Sequence, residues 1–118
     1  MFGEQHPEKP IYSVFSDDPF YSDLLELFVV AIPDRIQHLK TSAQRCDWEE
    51  VRRTVHQFKG SAASYGFGTI SLAAAELEQA IRNRTPESVL AEMTEAFCKL
   101  CCRVRSRGAD QPAATPAS

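Results

Sequence analysis

A histidine, two cations and a glycine share one strip of a predicted helix. Apolar residues recur there at spacings of three and four and predict a buried stripe, which comprises Trp48, Val51, Val55, Phe58 and Ala62. One step round the helix lies a second strip, which comprises Arg52, His56, Lys59, Gly60 and Ala63. We expect this second strip to follow the edge of the core and to face solvent, so that one imidazole stands among positive charges.

The residue types of this strip favour phosphoryl chemistry. A neutral imidazole nitrogen is a good nucleophile toward a phosphoryl group, and the negative charge of the product would lie close to Lys59 and Arg52. Gly60 is disfavoured inside a helix by about 1 kcal/mol relative to alanine, which indicates that space is needed beside the His56 ring. Close helix packing at Gly60 is the alternative interpretation.

The motif resembles that of a known family. His56, Lys59, Gly60 and Gly66 match His-x-x-Lys-Gly followed by five residues and a second glycine, and over residues 17 to 107 the sequence resembles the histidine phosphotransfer (HPt) domain. The resemblance implies that His56 is a phosphoacceptor, with Lys59 and Gly60 as its catalytic neighbours. The first domain of chemotaxis histidine kinases carries the same signature.

That related domain often continues as Gly-Phe, as Gly66-Phe67 does, and has a glutamate on the next helix near the place of Glu78. We interpret Gly66 as a structural residue that ends the helix with a positive φ. Glu78 is interpreted as a structural, hydrogen-bonding residue, and a role in orienting His56 is the less favoured alternative.

The resemblance also implies partners. His56 would carry a phosphoryl group between aspartates of response-regulator receiver domains, in a two-component phosphorelay fed by a hybrid sensor histidine kinase. The receiver would supply the acidic pocket and its Mg²⁺, so no cofactor of the chain's own is expected. By proximity to His56 we predict partner binding by a set of five residues, namely Arg52, Gln57, Ala63, Ser64 and Phe67.

The sequence contains no phosphate-cradling glycine loop or other ATP-binding motif, which disfavours autonomous kinase activity. Two other functions stay open: the phosphoacceptor domain of a chemotaxis-type histidine kinase, and a helical adaptor without phosphotransfer. His6 and His38 lack a comparable setting and are interpreted as solvated side chains.

Four helical patterns predict an all-α fold, an antiparallel up-down four-helix bundle of residues 17 to 107. The first begins near Asp17-Asp18-Pro19 and is kinked at Pro33, and its predicted inward residues are Leu24, Phe28, Ile32, Ile36 and Leu39. Asp47 is predicted to cap the second helix, which ends near Gly66.

The third helix is predicted from Phe67 or Thr69 to Arg84, and its inward residues are Ile70, Ala73, Ala74, Leu77 and Ile81. Thr85-Pro86-Glu87 opens the fourth, whose stripe comprises Leu90, Met93, Phe97, Leu100 and Val104. No strand pattern is found. We expect residues 1 to 16 to cover one end of the bundle and residues 108 to 118 to be a disordered tail.

Four cysteines raise the question of a metal site. Cys98, Cys101 and Cys102 are clustered, but Cys46 lies in the turn before the second helix, which an antiparallel bundle places beside the start of the fourth helix. Cys98 is about twelve residues further along that helix, or about 18 Å at 1.5 Å per residue, so Cys46 is not expected to join the cluster. Zinc usually takes four ligands, so no metal is predicted. Cys98 and Cys101 are interpreted as reduced core residues.

Length and charge are consistent with one ordinary globular domain. The chain has 118 residues, 43% of them hydrophobic, and a net charge of −3, which gives no case for nucleic-acid binding. No stretch is apolar enough for a membrane span or a signal peptide, so a cytoplasmic protein is expected. A monomer is the default expectation. The basic residues Arg103, Arg105 and Arg107 are predicted to complement a helix C-terminus.

Overall fold

A computed structural model of the chain describes residues 9–106, and these form four helices with short extended segments at either end. In chain order the elements are strand β1 (Ile11–Tyr12), a 3₁₀ turn (Pro19–Tyr21), α1 (Ser22–Gln44), α2 (Trp48–Ser64), α3 (Gly68–Arg82), α4 (Glu87–Cys101) and strand β2 (Val104–Arg105). The predictions for residues 1–8, for the tail 108–118, and for His6 and Arg107 lie outside the described residues.

Two aspartates cap the elements that follow them, Asp18 the 3₁₀ turn and Asp47 helix α2. The Asp18 carboxylate accepts a hydrogen bond from the backbone N–H of Phe20 at 2.9 Å, directly before Pro19. The Asp47 carboxylate accepts one from the N–H of Glu50 at 3.2 Å and so caps α2. Helix α1 runs through Pro33 as one helix, and the kink expected there stays a prediction.

Helices α1 and α2 run in opposite directions. Phe28, in the first half of α1, packs edge-on against Phe58 in the second half of α2, with ring centroids 6.2 Å apart. His38, in the second half of α1, contacts Glu50 in the first turn of α2. The two contacts pair opposite ends of the helices, which requires an antiparallel arrangement.

Helix α3 runs antiparallel to α2 in the same way. Helix α3 packs on α2 and α4, and α1 also packs on α4, which closes the bundle. The Ser71 hydroxyl at the start of α3 donates to the Lys59 carbonyl late in α2, whereas Glu78 further along α3 lies beside His56 earlier in α2. The prediction of an all-α four-helix bundle is therefore confirmed.

Apolar residues from all four helices form one core. Its largest fully buried side chains include the aromatic pair Phe58 and Phe67 and the aliphatic residues Leu25, Leu39, Ile70 and Leu77. Phe97 of α4 joins the same core, because its ring lies edge-on to Phe58 at 5.3 Å between centroids. Helix α2 is thereby held rigidly on the face opposite to His56.

Two core predictions need correction. In α1 the inward residue is Leu25, which is fully buried, and not Leu24, which is 38% exposed. Both precede Phe28 by three or four positions, so spacing alone could not separate them. Val104 is buried but lies in β2, because α4 ends at Cys101, and Cys98 and Cys101 fill the last turn of the helix on the core side.

The segment before α1 covers one end of the bundle. Strand β1 pairs in parallel with β2, with Ile11 opposite Val104, a two-residue ladder too short to leave a pattern in the sequence. Further on, the Val14 N–H donates to the Gly66 carbonyl at 3.0 Å. We call residues 11–15 the N-terminal clasp, since they join the α2–α3 turn to strand β2, which follows α4.

None of the helices within residues 9–106 combines the length and the apolar character needed to cross a membrane.

Candidate functional site

His56 projects from the middle of α2 and is anchored from α3. Its Nδ1 lies 2.9 Å from the Oε2 atom of Glu78. An ionised carboxylate can only accept a hydrogen bond, so Nδ1 is the ring nitrogen that carries the proton. The lone pair of the neutral ring is then on Nε2, at the tip of a side chain that is 58% exposed.

Glu78 is almost completely buried and is surrounded by positive groups. Lys59 Nζ donates to its Oε1 at 2.8 Å, and Arg82 and Arg52 lie 3.4 and 3.8 Å from Oε2. Burial raises the pKa of the Glu78 carboxyl, but the hydrogen bonds from Lys59 and His56 and their charges outweigh it, so the pKa is below its ordinary value. Glu78 is therefore ionised at neutral pH.

Arg52 links this cluster to the start of α2. Its guanidinium forms two hydrogen bonds with the Glu49 carboxylate, one of them from Nε to Oε1 at 3.1 Å. The same side chain also faces Glu78. Arg52 was predicted among the partner-binding residues, and the structure ties it to two carboxylates of its own chain.

The exposed edge of the His56 ring opens onto a shallow pocket. Its walls come from the exposed side of α2 and from the turn that follows, and they comprise His56, Gln57, Gly60, Ser61, Ser64 and Tyr65. A Cβ atom on Gly60 would have no neighbouring heavy atom within 4 Å. The close-packing interpretation of Gly60 is therefore wrong, and the glycine leaves open space beside the imidazole.

Gly66 serves the turn after α2. Its φ is +83°, the positive value expected from the sequence. A Cβ atom at this position would lie 2.5 Å from Ser13 Oγ in the N-terminal clasp. The Ser13 hydroxyl itself donates to the Tyr65 carbonyl at 2.6 Å, so Gly66 allows the clasp to approach the pocket wall.

Of the other predicted partner-binding residues, Gln57, Ala63 and Ser64 are exposed near His56. Phe67 is a correction, because it is only 1% exposed and stacks on Phe28 in the core at 5.1 Å between ring centroids. Its proximity in sequence was misleading, since the chain turns inward after Gly66.

Sequence reasoning missed Arg82 and Tyr65 and gave Glu78 mainly a structural role. Arg82 could have been found as a cation four residues after Glu78 on α3. Tyr65 carried no such signal, because its place in the pocket depends on how the α2–α3 turn is folded.

The predicted burial of Cys98 and Cys101 in the core is confirmed. Cys98 and Cys101 are buried free thiols, and burial raises the pKa of Cys98 to about 11 and that of Cys101 further still. Cys46 is exposed beside Glu87, whose negative charge raises the pKa of its thiol. No group of three or more potential metal ligands occurs among residues 9–106.

His38 is exposed, as predicted, and it also contacts a carboxylate. Its Nε2 lies 2.8 Å from Glu50 Oε2, so it forms a second contact between a histidine and a glutamate on neighbouring helices. The Glu50 carboxylate also accepts a hydrogen bond from Arg53 at 3.1 Å.

Comparison with known proteins bears on the family. Searches of curated proteins and of solved structures gave no match. A family model described as Hpt domain matches residues 23–107, a range that includes α2, α3 and both members of the His56–Glu78 pair. The chain therefore belongs to the Hpt domain family.

Proposed function

We propose that His56 Nε2 accepts a phosphoryl group from the aspartyl phosphate of one receiver domain and passes it to the aspartate of another. Hpt domains are phosphotransfer carriers in phosphorelays and not ATP-binding kinases. The observation that carries the proposal is the 2.9 Å contact of His56 Nδ1 with Glu78, which leaves Nε2 as the exposed nucleophile.

The transfer balances without any other reactant. The Nε2 lone pair attacks phosphorus, an N–P bond forms, and the P–O bond to the aspartate breaks as the carboxylate leaves with the electron pair. The imidazole ring becomes cationic while Nδ1 keeps its proton, and the ionised Glu78 beside it stabilises that charge. The same steps in reverse deliver the phosphoryl group to a second receiver.

The residues around His56 support phosphoryl transfer both to and from its ring. Lys59 stands one turn along α2, where an ammonium group can stabilise the phosphoryl oxygens. Gly60 keeps the approach to the ring open, and Gln57, Ala63 and Ser64 form the surrounding surface on which a receiver would dock. Mg²⁺ would be held by the acidic pocket of that receiver, whose charge would complement the cations around His56.

A second candidate is favoured by the His56–Glu78 contact. A glutamate on the next helix is the feature in which the sequence resembles the phosphoacceptor domain of chemotaxis-type kinases. In that case an ATP-binding kinase domain would supply the phosphoryl group to the same Nε2. The two functions share the acceptor and differ in the donor.

The test is labelling by defined donors. The chain is incubated with receiver domains charged by acetyl phosphate, and acid-labile, base-stable phosphate is measured by intact mass. We expect a gain of one phosphoryl group, its complete loss in His56→Gln, and normal labelling in the matched variant His38→Gln. Labelling by a chemotaxis-type kinase core with ATP, and by no receiver, would support the second candidate instead.

Labelling of the chain by neither donor would contradict both candidates. Loss of helicity in His56→Gln would mean that this histidine is structural, so circular dichroism and thermal unfolding are recorded for each variant.

A further inference from the structure

Glu78 has more positive partners than one carboxylate needs. Its side chain is only 4% exposed, yet three permanent cations and an imidazole surround it. The two oxygens are used differently. The Lys59 ammonium donates a hydrogen bond to Oε1 at 2.8 Å. The guanidinium groups of Arg82 and Arg52 lie 3.4 and 3.8 Å from Oε2, the oxygen that also contacts the His56 ring.

A phosphoryl group on Nε2 would compete with Glu78 for the cations that now surround it. It would bring negative charge and hydrogen-bond acceptors to within reach of the Lys59 ammonium, which sits on a flexible stem and is partly exposed. Phosphoryl oxygens form strong charge-assisted hydrogen bonds with such a group. If Lys59 turned toward them, Oε1 of Glu78 would lose the hydrogen bond that it now receives.

A buried carboxylate that loses its partner is strongly destabilised. Arg52 and Arg82 can replace Lys59 as hydrogen-bond partners of Glu78. Arg82 and Arg52 now lie beyond the 2.7–3.2 Å range of a good N–H···O hydrogen bond to Oε2. Each guanidinium could therefore approach Oε2 more closely, Arg52 by giving up part of its pairing with Glu49. Arginine is also suited to this task, because its planar fork can serve both carboxylate oxygens.

We propose that Lys59 changes partner when His56 is phosphorylated, from Glu78 to the phosphoryl group, and that Arg52 and Arg82 then hold Glu78. The inference rests on the proposed function of His56. It makes the two arginines positioning residues: they act through Glu78, keep the proton on Nδ1, and set Lys59 free for the phosphoryl group.

The experiment loads the full chain without a receiver, so that effects on docking do not enter. Phosphoramidate is a small donor that releases ammonia as the imidazole takes its phosphoryl group, and intact mass reports the loading. The side-chain ¹⁵N resonances of Lys59, Arg52 and Arg82 are then followed by NMR at neutral pH before and after loading.

On loading, we expect the Lys59 Nζ resonance to shift and the rotation of the two guanidinium groups to slow as they bind Glu78. In the double variant R52Q/R82Q the Lys59 shift should be lost, because Glu78 retains the ammonium. Arg53→Gln is the matched control, since it removes an arginine of α2 that pairs with Glu50, and it should behave as the unmodified chain does. The variant R52K/R82K should restore part of the shift.

An unmoved Lys59 resonance in the loaded wild-type chain would overturn the partner change. A full Lys59 shift in R52Q/R82Q would overturn the role of the arginines. Should the double variant not fold, the single variants R52Q and R82Q must each reduce the shift, and two full shifts would again contradict the proposal.

The failure of the proposed function looks different. Intact mass would then show no phosphoryl group on the wild-type chain, or an equal gain in His56→Gln, before any resonance is compared.

Discussion

Within residues 9–106 two contacts join a histidine to a glutamate, and only one of them leaves the Nε2 atom of the ring open. The distances are nearly equal, 2.9 Å for His56–Glu78 and 2.8 Å for His38–Glu50, and the histidine side chains are 58% and 51% exposed. The glutamates differ, since the side chain of Glu78 is 4% exposed and that of Glu50 is 28% exposed.

The nitrogen that makes the contact also differs. His56 uses Nδ1, which lies next to its own Cβ, and leaves Nε2 at the tip of the ring free. His38 uses Nε2 itself, so its unpaired nitrogen is the hindered one. A histidine–carboxylate pair is therefore informative only together with the atom that remains available and with the burial of its partner.

The residues three and four positions further along complete the contrast. After His56 these are Lys59 and Gly60, a cation and an open space, whereas after His38 they are Thr41 and the buried Ser42. The first histidine thus has a cation and an open space one turn along its helix, and the second has two hydroxyl side chains there.

The largest expected effect comes from replacing the carboxylate of Glu78 by an amide and comparing it with the same change at Glu50. Glu78→Gln should slow phosphotransfer to His56 by about tenfold or more, because an amide no longer fixes the proton on Nδ1 or stabilises the cationic ring. Glu50→Gln is the matched control and should leave the rate within about twofold. Rapid-quench transfer from a charged receiver measures both. Equal transfer rates for the two variants would mean that Glu78 matters no more to the reaction than Glu50 does.

A smaller effect is expected on stability and its pH dependence. The pKa of Glu78 is below its ordinary value of 4.5, so its contribution is present above that value and is lost as pH falls through the lower, folded-state pKa. At pH 7, Glu78→Gln should reduce the free energy of unfolding by about 1–2 kcal/mol. Urea unfolding between pH 3 and pH 7 should show this difference shrinking toward the acid end.

The stability difference for Glu50→Gln should stay within about 1 kcal/mol, as for other exposed pairs. A Glu78→Gln difference that grew with acidity would mean that the sign of the Glu78 shift is wrong.

The smallest effect separates access from stability. Gly60→Ala adds a methyl group into open space, so the free energy of unfolding should rise by about 0.5–1 kcal/mol through helix propensity alone. Transfer to His56 should nevertheless slow a few-fold, because the methyl group stands beside the ring. Chemical denaturation and transfer kinetics on the same sample give both values, and an unchanged or faster transfer would show that Gly60 is not needed for access.

Much of the fold could be predicted from the sequence because it depends on local rules. Periodic apolar residues indicated four helices, and Asp47 and Gly66 marked helix ends through capping and positive φ. Within α2, the spacing of His56, Lys59 and Gly60 was enough to predict that they share one strip of the helix, and His56 and Lys59 both reach Glu78.

The rest depends on contacts between elements. Glu78 acquires its importance from the rotation of α3 against α2, which no spacing within α3 reveals. Phe67 was predicted to bind a partner because it lies close to His56 in the sequence, but the turn after α2 sends it into the core. The short strands β1 and β2 were missed because pairing between distant segments leaves no local period.

The N-terminal clasp has a kinetic consequence. Its pairing of Ile11 with Val104 closes a loop that contains the whole bundle, and loops of that length are entropically costly to close before other contacts exist. The helices and their near-neighbour packing should therefore form first and the clasp last. By the same reasoning the clasp is the segment that opens most easily in the native state, so the turn next to His56 can loosen in local fluctuations while the bundle stays folded.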